Sequence, residues 1–529
     1  LTHAAVRTAV ESALTGYARH LDDELPSSVR ASNRFPPIAE ALETIHFPQT
    51  LGDVPRARER LAYGELFSLQ LSIAKRAIDR AARAREPIAL PVALRDTVAS
   101  SLPFPLTQDQ QTVLDEIHAD VCADRPMARL LQGDVGSGKT LVAFLACLPV
   151  IEAGFQAAMM APTELLARQH AENAARYLES AGVRVAFLSG SVGEAGRRPL
   201  LEAIADGRVD LVIGTHAVFS ASVEFRRLRI VVVDEQQRFG VMQRLALTKK
   251  GADPDLLLMT ATPIPRTLAL TVFGDMSVST IKTMPPGRQP IETHLARHGN
   301  EKKVYDWVRR ELDAGRQAYF VYPLIERSDA VELRDAESMH EKLTEVLAPH
   351  STALIHSRRS EDEKRRLMAS FVAGETRVLV ATSIVEVGVD VPNATCLVVE
   401  HAERFGLAAL HQLRGRVGRG KHKSYAFFVY AENLTEEAKD RLKVLLSESD
   451  GFAIAEHDLR IRGPGELSGM RQSGYLRFRV ADLARDMAIM NSARATCFEI
   501  LENDPGLEAP KNASLRQLID RTRSEEECV

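Results

Sequence analysis

Cysteine is scarce in this chain and unpaired. Five cysteines (Cys122, Cys147, Cys396, Cys497 and Cys528) are scattered over 529 residues, with no Cys-x-x-Cys spacing among them. They read as buried or incidental free thiols of a reducing cytosol. Long apolar runs are missing too. The longest, Leu141 to Ile151, has 11 residues and stops at Glu152. A membrane-spanning helix needs about 20, so none is expected. The first residues carry no basic-then-apolar signal pattern, and Leu1 in place of Met fits a fragment or a processed form. There is no tandem repeat and no low-complexity tract. Neither charge dominates: 67 basic residues stand against 71 acidic ones, a net charge of −4. That balance argues against a histone-like coat for nucleic acid, so any basic groove must be sought by segment.

Hydrophobic content of 45% and charged content of 26% are those of a soluble globular protein. At about 150 residues per domain the length suggests three or four domains, with cores large enough to need no disulfide or metal staple. Residues 1–104 read as mostly helical. Ala57–Arg85 carries Leu61, Leu66, Leu69, Ile73 and Ala77 near helical spacing. Pro87, Pro91, Pro103 and Pro105 then mark a linker. From about residue 105 the pattern becomes βαβα. Strands are predicted at Ala128–Gln132, Gln156–Ala161, Val183–Ser189, Asp210–Gly214, Leu228–Val233 and Asp255–Met259. The alternation restarts after Pro285-Pro286-Gly287, at Gln317–Ile325, Ala353–Ile355, Arg377–Ala381, Thr395–Val399 and Ser424–Val429. Near-continuous apolar strands alternating with helices predict parallel sheets covered on both faces, hence two α/β lobes joined near residue 290.

Chemistry is written most plainly at Gly133-Asp134-Val135-Gly136-Ser137-Gly138-Lys139-Thr140, a G-x-x-x-x-G-K-[ST] loop after a predicted strand and before an apolar helix starting at Leu141. The glycines let backbone N–H groups face phosphate oxygens, and the helix N-terminus adds partial positive charge. Lys139 is expected at the β- and γ-phosphates and Thr140 on Mg²⁺. The strand Leu228–Val233 runs into Asp234-Glu235. Acidic strand ends are common, but in one lobe with this loop the pair suits Mg²⁺ binding (Asp234) and activation of water (Glu235). In Gln412-Leu413-Arg414-Gly415-Arg416-Val417-Gly418-Arg419, Arg416 and Arg419 are expected to share a helix face and reach the transferring phosphate from the second lobe. Thr107 and Gln110, after Phe104 and Leu106, fit either a plain helix start with Thr107 as N-cap or a purine reader, with the Gln110 amide pairing N6 and N7 of adenine and Phe104 stacking.

These segments together resemble superfamily 2 helicases. The Gly133–Thr140 loop, Asp234-Glu235-Gln236-Gln237 and Gln412–Arg419 are similar to motifs I, II and VI; Ala161-Pro162-Thr163-Glu164, Thr260-Ala261-Thr262-Pro263 and Ala381-Thr382…Gly388-Val389-Asp390 are similar to motifs Ia, III and V. Thr107 and Gln110 match the family's adenine-reading motif. Within the superfamily the chain looks like the RecG group of branched-DNA translocases, on Arg238-Phe239-Gly240-Val241, on Arg60–Phe67 and Ile45–Pro48 upstream, and on Asp458–Glu466 with Gly469–Gly474, which resembles the TRG translocation motif. Residues 456–479 hold five arginines against three carboxylates, a local balance of +2, and Gly463-Pro464-Gly465 predicts a sharp bend. Without the resemblance this stretch reads equally as a structural loop or as a basic hairpin on DNA phosphates.

The resemblance implies a fold of two tandem RecA-like lobes, residues 105–290 and 291–445, between a helical region (1–104) and a TRG segment with its tail (446–529). It implies nucleotide contacts by Phe104, Leu106, Thr107, Gln110, Gly133, Val135, Gly136, Ser137, Gly138, Lys139, Thr140 and Leu141. Catalysis falls to Lys139, Asp234, Glu235, Gln412, Arg416 and Arg419, Mg²⁺ to Thr140 and Asp234, and translocation to Arg462, Arg471 and Gln472. The implied function is ATP- and Mg²⁺-dependent remodelling of stalled forks and Holliday junctions by a bacterial cytoplasmic, nucleoid-associated monomer, with single-stranded DNA-binding protein as a further partner. The rivals are the motor of a transcription-repair coupling factor and a passive branched-DNA binder with a vestigial nucleotide site. Two departures stand out. Gln237 replaces the family's usual His, which leaves hydrogen bonding but no cationic form. No five-strand pattern precedes the motor, so the family's OB-fold wedge is expected to be absent.

Overall fold

The computed structural model describes residues 2–527 apart from 86, 191–192, 236–252, 263–273, 287–288, 324–328, 357, 383–390, 463–477 and 483–484. Four helices open the chain: α1 (His3–Tyr17), α2 (Ser27–Asn33), α3 (Ile38–His46) and α4 (Val54–Ala81). At 28 residues, α4 is about 42 Å long. Arg60 on it is fully buried and bonds Asp23 (2.7 Å), Glu24 (2.9 Å) and the Pro36 carbonyl (3.1 Å), so the buried charge is paired rather than stranded.

The first lobe holds α5 (Ala93–Ser101), α6 (Gln108–Cys122), β1 (Ala128–Gly133), α7 (Lys139–Glu152), β2 (Gln156–Met160), α8 (Glu164–Leu178), β3 (Val185–Leu188), α9 (Glu194–Ala205), β4 (Leu211–Gly214), β5 (Leu228–Val233), β6 (Asp255–Thr260) and β7 (Ser277–Ile281). Its strands are parallel in the order β3-β4-β2-β5-β6-β1-β7. Every residue of β1, β2, β4 and β5 is buried, and each Val, Ile or Leu among them contributes on the order of 1.5–3 kcal/mol. Helix α7 is apolar on all sides, so it must be covered twice. The sheet lies on one side, and α5 and α6 pack on the other. This explains the helix inside the expected linker: α5 is held by burying Val98 against that surface.

The second lobe repeats the plan with β8 (Ile291–Arg297), α10 (Glu301–Asp313), β9 (Gln317–Val321), α11 (Asp329–Val346), β10 (Thr352–Ile355), α12 (Glu361–Val372), β11 (Val378–Ala381), β12 (Ala394–Val399), α13 (Leu407–Arg414), β13 (Ser424–Tyr430) and α14 (Glu436–Ser447). The parallel order is β10-β11-β9-β12-β13-β8. Packing does not break at residue 445. Ile454 of α15 (Gly451–Arg462) is buried in the same core as Leu442 and Leu445.

Two more helices, α16 (Met487–Asn503) and α17 (Ala513–Glu527), return to the start of the chain. Met490, Ala493, Cys497 and Leu501 of α16 share a core with Tyr63, Phe67, Leu71 and Ala74 of α4. N- and C-terminal segments therefore form one helical body. It is tied to the first lobe by Arg80–Asp275 (3.0 Å), Arg83–Asp253 (2.6 Å) and Arg85–Asp255 (2.9 Å). The described residues before 105 contain helices and no strand.

Candidate active site between the two lobes

The Gly133–Thr140 loop leaves the buried tip of β1 and ends in α7, so its backbone is fixed at both ends by core structure. Gly138 sits at φ +86°, and a Cβ there would lie 2.4 Å from the Gln110 amide nitrogen; glycine is demanded twice over. The Lys139 Nζ donates to the carbonyls of Gly133 (2.7 Å) and Asp134 (2.9 Å). Burial pulls the Lys139 ammonium below its usual pKa, against Glu235, Asp234 and Asp134, which favour the charge; Arg419 pushes with burial. Three carboxylates and a second-lobe arginine thus converge on one lysine. Ser137 is fully buried, and its Oγ has no hydrogen-bond partner among the described residues. Thr140 is half-buried one residue beyond Lys139, and Val135 and Leu141 are buried. A glycine cradle, an orphan hydroxyl, a lysine and two carboxylates fit a magnesium–nucleotide phosphate group.

Asp234 stands at the tip of β5. Its Oδ2 meets His170 Nε2 at 2.8 Å and its Oδ1 accepts from the Glu235 N–H at 3.0 Å. Burial alone would raise its pKa, but the His170 hydrogen bond and charge, Lys139 and the Glu235 N–H outweigh it and hold the carboxyl below the ordinary range. Glu235 adopts φ +49°, a left-handed conformation that is costly outside glycine. In motif III, the Thr260 hydroxyl donates to the Thr262 carbonyl (3.1 Å). Gln236, Gln237, residues 238–241, Pro263 and 388–390 lie outside the described residues.

The second lobe touches the loop through α13 and the turn after it. His411 Nε2 lies 2.6 Å from Asp134 Oδ1, and Arg414 NH2 lies 2.9 Å from His411 Nδ1. Arginine can only donate. Nδ1 therefore accepts, and Nε2 carries the proton given to Asp134. Arg414 NH1 also donates to the carbonyls of Leu445 and Glu448, both at 2.8 Å. Burial raises the Asp134 pKa, but His411, the Val135 N–H and Lys139 pull it below normal. Gly415 packs so closely on Val135 that a Cβ would fall 2.8 Å from the Val135 Cβ.

One expectation changes. Arg416 and Arg419 are not on a shared helix face, because α13 ends at Arg414 and Gly418 turns the chain at φ +77°. Arg419 Nε folds back to the Gly415 carbonyl at 3.3 Å. The Gln110 amide makes two hydrogen bonds within the first lobe. It is buried, its Oε1 accepts from the Thr107 N–H (2.9 Å) and its Nε2 donates to the Ser137 carbonyl (2.8 Å), so it braces α6 against the loop. Phe104 and Leu106 are half-buried and pack against the first-lobe core. Gln412 is half-buried on α13. Arg462 ends α15, while Arg471 and Gln472 lie outside the described residues. Sequence reasoning missed His170 and His411. His411 directly precedes Gln412, but His170 shows only as a polar residue on the buried Ala167–Ala174 face of α8.

Two parallel-sheet lobes, one carrying a phosphate loop and an acidic strand tip and the other pressing an arginine-rich turn against them, define a helicase-type ATPase. Family models agree: DEAD/DEAH box helicase matches residues 107–271, the helicase conserved C-terminal domain 303–421, and domain 3, C-terminal, of the ATP-dependent DNA helicase RecG 448–526. RecG of Treponema pallidum is 48% identical over 526 residues, covering 95% of this chain and 76% of that protein. RecG of Bacillus subtilis is 44% identical over 515 residues, covering 97% and 75%. A solved structure of RecG bound to a three-way DNA junction matches with a TM-score of 0.76 at 41% identity, covering 93% of this chain and 64% of that one. The chain belongs to the RecG family of ATP-dependent DNA helicases.

Proposed function

We propose that the chain is a duplex-DNA translocase that uses ATP and Mg²⁺ to remodel stalled forks and Holliday junctions. One observation carries the reading: the second lobe's His411 and Gly415 press on the phosphate loop of the first, with Arg419 folded back on Gly415 beside them. Lys139 steadies the β- and γ-phosphates, and Thr140 and Asp234 hold Mg²⁺, which when bound neutralises phosphate charge. His170 orients Asp234. Glu235 polarises the attacking water, its carboxylate aimed by the left-handed backbone. Arg416 and Arg419, with Gln412 beside them, stabilise the charge of the transferring group. Gln110 braces the loop that grips the nucleotide. Arg462 at the end of α15, with Arg471 and Gln472 beyond it, engages duplex phosphates. Residues 105–290 and 291–445 serve as the motor lobes between the helical region 1–104 and the translocation segment 446–529, even though α15 packs on the second lobe and α16 on α4. The protein works as a monomer near the nucleoid, with single-stranded DNA-binding protein as a further partner.

The match of the RecG C-terminal model to 448–526 supports this over a transcription-coupled motor, and the complete set of charged residues supports an active ATPase over a passive binder. The deciding experiment compares ATPase stimulation by a fork, a Holliday junction, linear duplex and single strand. Branched DNA should stimulate most; equal response to all four would refute the junction reading. Arg462→Ala or Arg471→Ala should slow displacement of a third strand from duplex and lower the salt slope of binding by about one per lost phosphate contact. Wild-type displacement by both would return the segment to a structural role.

A further inference from the structure

The two ends of the segment 463–477 are fastened to different bodies. Its entrance is α15, whose Ile454 belongs to the second-lobe core and whose preceding turn is gripped by Arg414. Its exit, residues 479–482, is fastened to α4. Glu65 spends both carboxylate oxygens there: Oε1 accepts from the Arg479 N–H (2.9 Å), and Oε2 accepts from those of Val480 (3.0 Å) and Ala481 (2.9 Å). About two helical turns away, Arg58 donates to the Val480 carbonyl (3.2 Å) and to Asp486 Oδ1 (3.0 Å), while Asp486 Oδ2 accepts from the Asp482 N–H (2.8 Å). A carboxylate taking three backbone donors is a charge-assisted clamp, stronger than neutral hydrogen bonds. The far end of α4 is bound to the first lobe through Arg80, 15 residues beyond Glu65 and about 22 Å along the helix.

We propose that Glu65, seconded by Arg58, is a positioning residue for translocation. It makes α4 a strut that fixes the exit of the segment to the first lobe while α15 moves the entrance with the second. Any change in lobe separation then becomes relative displacement of the two ends, whereas a loose exit would let the segment follow α15 passively. The inference rests on the proposed contact between this segment and duplex DNA. These hydrogen bonds of Glu65 and Arg58 go to residues 479–486 and none goes to the phosphate loop, so the clamp acts on coupling and not on hydrolysis.

The test uses the full chain, ATP, and a duplex carrying a third strand. Glu65→Ala should cut third-strand displacement per ATP hydrolysed at least fivefold, with DNA-stimulated kcat and the KM for ATP within twofold of wild type. Glu65→Gln keeps a carbonyl oxygen for the paired donors but turns an amide against the third, so it should fall between the two. Tyr63→Phe, which removes the Tyr63–Thr496 bond between α4 and α16 (3.1 Å) without touching 479–482, should keep normal coupling. Amide hydrogen exchange supplies a second readout that needs no translocation: residues 479–481 should be protected in wild type and exchange at least tenfold faster in Glu65→Ala. Unchanged displacement per ATP, or a proportional fall of hydrolysis and displacement together, would overturn the proposal, as would unchanged exchange. Failure of the wild-type chain to displace any strand, with the exchange difference present, would instead sink the translocation reading and leave the clamp standing.

Discussion

Replacing Gly415 with alanine separates the closeness of the lobes from the stability of either. The Gly415 backbone has φ −66° and ψ −5°, which alanine adopts without strain, and the loss of glycine freedom in the unfolded chain favours folding by about 0.4–1 kcal/mol. Across the cleft the geometry is harsh. The new Cβ would stand 2.8 Å from the Val135 Cβ, 2.9 Å from its Cγ1 and 3.3 Å from its Cγ2. Carbon atoms rest at about 3.5–4.0 Å, so the turn carrying Arg416 and Arg419 must withdraw by about 1 Å. A misplacement of that size costs about 10²-fold in rate, or about 2.7 kcal/mol of barrier. Steady-state ATPase with saturating duplex DNA should therefore show kcat down about 100-fold, while the melting temperature stays at or slightly above wild type. Val135→Gly in the same chain removes all three contacts and should return part of the rate, a coupling a double-mutant cycle detects. Wild-type kcat in Gly415→Ala would refute the claim that catalysis needs this approach.

Other expectations concern the same cleft. Lys139→Ala should nearly abolish hydrolysis, and Arg419→Ala should lower kcat by about 10³-fold or more with little change in KM; turnover near wild type in either would remove that residue from the catalytic set. Gln110→Ala takes away both the acceptor for the Thr107 N–H and the bond to the Ser137 carbonyl, so it should weaken ATP and GTP binding alike and cost about 1–3 kcal/mol of stability in a denaturant titration. Loss of ATP preference alone, with GTP binding untouched, would show that the amide reads the purine after all. Asp134 has a depressed folded pKa. Its stabilisation is present above the unfolded value of about 3.9 and is lost as pH falls through the lower folded value. The melting temperature should thus drop more steeply below about pH 4 in wild type than in Asp134→Asn; parallel curves would contradict the His411 contact.

The sequence by itself determined the elements whose cause is local. Strands β1, β2, β4, β5 and β6 are short apolar runs buried on both faces, and Leu228–Val233 is found as expected from end to end. The phosphate loop is a contiguous motif, so its place between strand and helix was legible, and so was the acidic pair at the next strand tip. Strands β7 and β8 were not legible. Each edges its sheet and mixes polar with apolar residues, β8 alternating Ile-Glu-Thr-His-Leu-Ala-Arg with no residue fully buried, so neither shows the apolar run by which the other edges, β3 and β10, could be read. Helix α5 was hidden for a related reason, since prolines flank it and only the all-apolar surface of α7 holds it. The site divides in the same way. Lys139, Asp234 and Glu235 announce themselves within short motifs, whereas the partners that tune them do not. His411 meets Asp134 across 277 positions of chain and His170 meets Asp234 across 64. Glu65 clamps residues more than 400 positions away. Such pairs leave no periodicity or spacing to read; they exist because two independently folded lobes and a returning tail bring distant side chains within hydrogen-bond distance, and that is decided by tertiary packing alone.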